Sequence, residues 1–481
     1  MSHRSSITSR VMDAVPAWLQ DEDELRTYLE RSSSSGDSPR RRIFLMEGLN
    51  PGLISILGTQ FNIDPSFFAA HERTILWNPD QDGVSDNNLP PSMQNPMKAF
   101  RLKYYEVLKT NPGIQQFGAG RTACSVTGRH VGTSRLNGEF YSCGVLRRKC
   151  SFWSSGESNG GWDVVILCDP PLRSIEGEAQ GNQVTHISTA PFQGGYLDFT
   201  KESIAYKGKV LGPPKTCMLE DLCFYYQHRI DLIDSLADPM AVAVFVKKIV
   251  AFQYLKLVDY LRAMVAEREL LLLRRNGIHP VDWVEQQWTD LQAVVQRGSE
   301  YVENVEAIHL SLGYPLAEPD TRLDSNGEKA SWACCQRDFQ FILMQLRGLK
   351  RRADQLNDSM MGLVSMAGAR ETLKGNERSM REAKSVKSLT LAGLVFIPLV
   401  FTSGLFSMND RYIPGGSYFW VYCAVALPMV PIALLGYYVL DKGYDEKAKW
   451  SFETFKISLQ SKSLKEKLRF TVQVGETCSG E

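Results

Sequence analysis

The chain has 481 residues, with 54 Lys and Arg against 54 Asp and Glu, so its formal net charge at pH 7 is zero. This balance gives no electrostatic basis for binding nucleic acid, and we expect no nucleic-acid partner. Apolar residues make up 43% of the chain, which excludes a wholly disordered protein. No arrangement of nucleophile, base or metal ligands typical of an enzyme stands out, so we expect a protein that is not an enzyme.

The N-terminal 41 residues end in a polar, turn-forming stretch. Residues 31–42 read RSSSSGDSPRRR, a composition that favours turns over packed structure. We therefore predict a disordered N-terminal segment over residues 1–41.

Residues 42–328 carry the patterns of a folded soluble region. Short apolar runs at 43–46, 140–153 and 162–168 predict strands, and residues 53–61 predict a short helix. We predict an α/β domain over 42–215. The strand patterns end at Gly212-Pro213-Pro214, and the helical patterns that follow predict a helical subdomain over residues 216–328.

A longer helical pattern predicts a stalk helix over residues 329–388. Its apolar residues follow one another at alternating steps of three and four, a period that fits left-handed packing against other helices. The series comprises Trp332, Cys335, Phe339, Ile342, Leu346, Leu349, Ala353, Leu356, Met360, Leu363 and Ala367.

Two uncharged apolar segments follow the stalk. Residues 389–408 contain no Asp, Glu, Lys or Arg and have the length of about 20 residues that a membrane-spanning helix needs. Residues 418–440 are also uncharged and have aromatic residues at both ends, as interfacial belts do. Only residues 409–417 separate the segments, so we predict a membrane hairpin with this outer loop, followed by a cytosolic tail over 441–481.

The basic residues of the flanks set the expected topology. Lys374, Arg378, Arg381, Lys384 and Lys387 precede the hairpin and Lys442, Lys447 and Lys449 follow it, whereas the loop carries only Arg411. Basic residues favour the cytosolic side. We therefore expect a two-pass integral membrane protein with both termini cytosolic, in the plasma membrane, with the mitochondrial inner and vacuolar membranes as alternatives.

Two helices cannot enclose an aqueous path, so transport by this hairpin would require several copies of the chain. The first segment contains Thr390, Gly393, Thr402, Ser403 and Gly404, small or hydroxyl residues that can pack closely or meet water. The pattern alone leaves open a pore-lining role, plain helix packing, and a membrane anchor for a soluble domain.

A specific resemblance concerns the end of the first segment. Phe396-Ile397-Pro398-Leu399 and Phe406-Ser407-Met408-Asn409 resemble the end of the pore helix in the CorA magnesium-transporter family, whose signature is Gly-Met-Asn. The resemblance covers residues 384–440. Ile56-Leu57-Gly58 and Phe61-Asn62-Ile63-Asp64-Pro65 are similar to the amino-terminal domain of CorA-like proteins from filamentous fungi.

The resemblance implies a homopentamer in a lipid bilayer, with an αβα-like cytosolic domain, a pore lined by the first membrane helix, and the second helix around it. The transported and regulatory ion would be Mg²⁺, with other divalent cations as alternatives. The pathway would comprise Asn409, which binds the hydrated ion, with Met408 and Ser407 beside it, then Gly404, Val400 and Ile397, an apolar gate of Leu389 and Val386, and Asp410 at the outer mouth.

This sequence departs from the family pattern in the motif itself, because Ser407 replaces the motif glycine. Val400 also stands where a pore threonine is common, and glycine stands directly after Pro414, where relatives commonly carry an acidic residue. We expect a CorA-like divalent-cation channel or transporter. The alternative is a non-conducting membrane-bound metal sensor or interaction scaffold on the same fold.

Overall fold

The structure is a computed structural model, and it divides into two compact units, Met1–Ala367 and Gly368–Glu481. It describes residues 17–19, 21–33, 40–72, 94–111, 122–136, 139–156, 161–177, 183–200, 204–206, 209–233, 238–274, 281–316, 332–408, 414 and 417–443.

A six-stranded sheet forms the centre of the first unit. In spatial order it contains β1 (Arg41–Glu47), β6 (Trp162–Cys168), β5 (Glu139–Gly156), β2 (Ala99–Asn111) and β9 (Ser188–Pro191), and β4 (Val131–Leu136) also pairs with β5. The β1–β6 pair is parallel and the other pairs are antiparallel. Two small sheets accompany it, one of β3 (Thr122–Cys124), β7 (Ser174–Gly177) and β8 (Gln183–His186), the other of β10 (Ile204–Tyr206) and β11 (Lys209–Leu211).

Helices cover both faces of the central sheet. One face packs against α4 (Met218–His228), α5 (Pro239–Val242), α6 (Val244–Arg274), α7 (Val281–Leu312) and the start of α8 (Cys335–Phe406). The other face packs against α1 (Glu22–Ser33), α2 (Pro51–Phe61) and α3 (Pro65–Glu72). The result is the mixed α/β architecture, with helices on either side of a sheet, that the sequence predicts.

Strand β6 shows why the sheet is buried on both sides. All of its residues are buried. Successive side chains point to opposite faces of a strand. Val164 and Ile166 therefore join one core, whereas Val165 and Leu167 join the other. A near-continuous apolar run is the sequence pattern of such a doubly covered strand.

Helix α2 has clear local signals at both ends. The Asn50 side chain accepts hydrogen bonds from the backbone N–H groups of Gly52 at 2.8 Å and Leu53 at 3.4 Å, and Pro51 occupies the first turn. This is a typical N-cap. At the other end, Asn62 adopts a left-handed conformation with φ of 49°.

The expected disorder over residues 1–41 is wrong for α1, which lies inside this segment. Leu25 and Leu29 are four residues apart, share one helix face and are buried in the same core as Met46 of β1. The Glu22 carboxylate of α1 lies against Gly52 of α2, in the space that a Cβ would occupy. The polar composition concealed this short apolar face.

The predicted boundary at residue 215 falls inside the first unit. Helices α4 to α7 share one continuous core with the sheet, since Leu102 of β2 and Tyr254 of α6 belong to the same cluster. The Tyr254 hydroxyl also donates to the Lys103 carbonyl at 2.9 Å. The segments 42–215 and 216–328 therefore build one core together.

Helix α8 confirms the apolar series predicted for the stalk. Cys335, Phe339, Ile342 and Leu346 are buried in the main core. Further along, Ala353 packs with residues of α6 and α7, and Met360 is buried with Val284 and Leu291 of α7. These contacts use α6 and α7 as the helical neighbours that the period of about 3.5 residues requires.

Candidate functional site

The second unit contains two helical segments that are long and apolar enough to cross a membrane: the last part of α8, which ends at Phe406, and α9 (Phe419–Gly443). They agree with the predicted spans at 389–408 and 418–440. Almost no residue in either apolar stretch is buried inside the protein. A core helix of a soluble protein would be mostly buried, so this exposure favours lipid contact.

Side-chain contacts at both ends show that the two helices form an antiparallel hairpin. The rings of Phe406 and Tyr422 lie edge to face, with centroids 6.0 Å apart. At the opposite end, Lys387 Nζ lies 5.9 Å from the ring centroid of Tyr437. Because the end of α8 contacts the start of α9, and an earlier turn of α8 contacts the end of α9, the predicted hairpin is confirmed.

The middle of the hairpin packs through small residues. Thr402 of α8 and Ala426 of α9 are each only 2% exposed. The Thr402 hydroxyl lies 2.8 Å from the Pro398 carbonyl oxygen and 3.0 Å from that of Leu399, so its hydrogen bond is made within α8. Small residues let membrane helices approach closely. Thr402 is therefore a packing residue.

Val395, Leu399, Thr402 and Phe406 are among the less exposed residues of the span and share one side of α8, which we call the packed face. Phe406 makes the ring contact with α9. Steps of three or four residues place these side chains on one side of a helix.

The predicted pathway residues lie on a different side, which we call the exposed face of α8. It comprises Val386, Leu389, Ile397, Val400, Gly404 and Ser407, all of which are exposed. At 3.6 residues per turn they fall within an arc of about 80°, and the centre of this arc is about 160° from Thr402 and Phe406. The second helix of the hairpin therefore leaves the exposed face uncovered.

Of the predicted mouth, the structure describes Ser407 and Met408. Met408 is 87% exposed. Asn409 and Asp410 lie outside the described residues. Among the residues that the structure describes, no group of three or more His, Cys, Asp or Glu side chains is placed to hold a metal ion.

The first unit contains a buried polar cluster that the sequence did not predict. His71 Nδ1 lies 2.9 Å from Ser151 Oγ, and His71 Nε2 lies 3.4 Å from Asp169 Oδ1. Arg129 donates to the two Asp169 oxygens at 2.6 and 2.8 Å, and the Lys149 backbone N–H donates to Oδ2 at 2.6 Å. These residues are far apart in the sequence, so no local motif marks them.

Ser151, His71 and Asp169 follow one another as the residues of a hydrolytic triad do, but the two ring nitrogens are exchanged, and the burial of the cluster favours a structural role. Ser151 is completely buried, and His71 and Asp169 are also buried. A nucleophile must be reachable by its substrate, and the Ser151 hydroxyl lies beneath the surface. The cluster joins α3, the central sheet and the segment after β6.

At both His71 and Asp169, burial and the neighbouring charged groups shift the pKa in opposite directions. Burial lowers the pKa of His71, and this effect outweighs the neighbouring Asp169 carboxylate. Burial alone would raise the pKa of Asp169, but the contact with His71 and the charge and hydrogen bonds of Arg129 hold it well below its usual range. At neutral pH, His71 is therefore neutral and Asp169 is ionised.

We predict that His71 lowers the free energy of unfolding of the protein in mild acid. As the pH falls through about 6.5, the unfolded histidine binds a proton that the folded one does not, so stability falls. Between pH 7.5 and 5.5 the free energy of unfolding should fall more in the wild type than in His71→Gln, measured by denaturant unfolding of the full chain in detergent. Equal pH dependence in the two proteins would contradict this assignment.

The hairpin and its exposure fit a membrane-spanning pair of helices, and one family model matches this part of the chain. Residues 336–442 match the model of the CorA-like Mg²⁺ transporter protein family. This match to the C-terminal region agrees with the resemblance seen in the sequence. No curated protein matches the chain.

Two solved structures are similar over most of the chain. The CorA magnesium transporter from Methanocaldococcus jannaschii is 11% identical, with 85% of this chain and 91% of that chain covered and a TM-score of 0.29. The full-length CmaX protein is 14% identical, with 75% and 83% covered and a TM-score of 0.25. Both TM-scores are below 0.5.

Proposed function

We propose that this chain forms a homopentameric channel that moves Mg²⁺ across a membrane. In this proposal α8 lines the pore, α9 surrounds it, Asn409 forms a ring at the outer mouth, and Val386 and Leu389 form the gate. The CorA-like domain over residues 336–442 supports the class of protein. The number of subunits rests on the family resemblance.

The observation that carries the proposal is the arrangement of the two faces of α8. The packed face contacts α9, and the exposed face, which contains every described pathway residue from Val386 to Ser407, points elsewhere. The described part of one chain supplies two spans, and two helices cannot enclose water. Several copies arranged around an axis would bring their exposed faces together and leave α9 outside.

The chemistry of the proposed mouth suits a hydrated cation. Mg²⁺ gives up its water ligands reluctantly, so a ring of neutral carboxamide oxygens from Asn409 would bind the hydrated ion without trapping it. Asp410 would add negative charge at the outer end. Below the mouth, Ser407 and Gly404 have small side chains and leave room for the hydration shell.

An apolar gate would close the inner end of this pathway. Val386 and Leu389 are 63% and 75% exposed in the single chain and lie on the exposed face. Rings of these side chains would form a narrow apolar constriction, which blocks ions when water leaves it.

The basic residues around the hairpin support a topology with both termini in the cytosol. The stalk carries Lys374, Arg378, Arg381, Lys384 and Lys387 before the first span, whereas the outer loop carries only Arg411. In this orientation the proposed mouth faces the outside of the plasma membrane.

Ion uptake by purified protein tests the function. The full chain would be reconstituted in liposomes that contain a magnesium-sensitive dye, with protein-free liposomes as the control. We expect uptake only with protein, and a native mass five times that of the 54.1 kDa chain. An intact oligomer that passes neither Mg²⁺ nor Co²⁺, Ni²⁺ or Zn²⁺ would contradict the proposal.

A polar gate is expected to leak. We predict that Leu389→Ser raises the initial rate of Mg²⁺ uptake several-fold, because a hydroxyl keeps the constriction wet. The matched control is Leu391→Ser, the same substitution two residues along but on another side of α8. Equal rates in Leu389→Ser and Leu391→Ser would place the gate elsewhere.

A further inference from the structure

The inner end of the hairpin contains a contact between a cation and an aromatic ring. Side chains of α8 over residues 381–392 are exposed. Lys387 nevertheless reaches across to α9, where its Nζ lies 5.9 Å from the ring centroid of Tyr437.

The contact between Lys387 and Tyr437 is a cation–π interaction, which is stronger where the contact is poorly hydrated. An ammonium within about 6 Å of a ring centroid is attracted by the negative face of the ring, and the attraction grows as water is removed. Lys387 is the last charged residue before the apolar span, so its head group lies where hydration decreases. The attraction uses the ring face and does not need the Tyr437 hydroxyl.

The contact is adjacent in sequence to the proposed gate. Lys387 follows Val386 directly and precedes Leu389 by two residues. At 3.6 residues per turn, Lys387 lies about 120° from the centre of the exposed face. We call the turn of α8 that contains Val386, Lys387 and Leu389 the gate turn. The attraction between Lys387 and Tyr437 therefore acts on the gate turn from the side away from the pore.

We propose that Lys387 and Tyr437 form a clasp that couples α9 to the gate turn of α8 and restrains Val386 and Leu389 from converging. This inference rests on the proposed function, because it assigns a role to the gate. Both residues are positioning residues, since neither is placed in the ion pathway. Loss of the clasp should favour the closed gate and slow Mg²⁺ uptake.

Paired substitutions test the coupling. In reconstituted full-length protein, we expect Tyr437→Leu to slow uptake about threefold, whereas Tyr437→Phe retains the wild-type rate because the ring face remains. Lys387→Arg should also retain it. The double variant Lys387→Met with Tyr437→Leu should be no slower than Tyr437→Leu alone, because the clasp is already broken. Tyr438→Leu, at the next, exposed position, is the matched control.

Amide hydrogen exchange provides a readout that does not depend on transport. We expect Tyr437→Leu, but not Tyr437→Phe, to speed exchange over residues 383–390 in detergent. Unchanged exchange and uptake in Tyr437→Leu, with an active wild type, would overturn the clasp and leave the channel proposal intact. An inactive wild type would overturn the channel proposal and the gate role together, while faster exchange would still support the contact.

Discussion

Asn409→Ala is expected to reduce Mg²⁺ uptake by reconstituted protein to the level of protein-free liposomes. Alanine removes the carboxamide oxygen from every subunit, so one substitution would remove the whole ring at the proposed mouth. Without this ring, the hydrated ion would lose the neutral oxygens that attract it at the mouth. The initial rate of dye response in liposomes measures the effect.

The control for this variant is Asn376→Ala. Asn376 is an exposed residue of α8 that lies before the apolar span, so the same chemical change should leave uptake unchanged. Native mass measurement would show that both variants assemble like the wild type. Wild-type uptake by Asn409→Ala would remove Asn409 from the ion pathway.

Asp169→Ala is expected to lower the free energy of unfolding by about 3 to 5 kcal/mol, the typical cost of breaking a buried ion pair from one side. The substitution leaves the Arg129 guanidinium, which is only 5% exposed, without its carboxylate. It also removes the acceptor of the Lys149 backbone N–H. Denaturant unfolding of the full chain at pH 7.5 in detergent measures the loss.

Asp259→Ala is the matched control, because it breaks an ion pair at the surface. Arg262 Nη1 lies 3.1 Å from Asp259 Oδ1, and both side chains are at least half exposed. Such a pair contributes less than about 1 kcal/mol. Similar losses in Asp169→Ala and Asp259→Ala would show that the polar cluster of the first unit does not hold it together.

Features with a local period could be predicted from the sequence. The two spans follow from long uncharged runs, and the buried series from Cys335 to Met360 follows from its spacing. Strand β6 was predicted from a short apolar run. In each case the spacing of apolar residues that are close in the sequence predicts the element, without knowledge of its tertiary contacts.

Features that depend on distant contacts could not be predicted. His71 and Asp169 are separated by 98 positions and meet only when the sheet forms. Helix α1 has two buried leucines on an otherwise polar background, so composition alone predicted disorder. For the pathway, the family resemblance supplied the residues from Val386 to Ser407, and the structure places them on one face of α8. The family resemblance supplied the proposed role of Asn409.

Solvent accessibility along α8 tests the central claim most directly. Single cysteines at Val386, Leu389, Ile397, Val400 and Gly404 would be compared with single cysteines on the packed face at Val395, Leu399, Thr402 and Phe406. The reconstituted protein would react with a charged, water-soluble thiol reagent, and peptide mass spectrometry would separate these sites from the ten native cysteines. We predict reaction on the exposed face and protection on the packed face. Protection of both faces, with the native mass intact, would contradict a water-filled pore lined by α8.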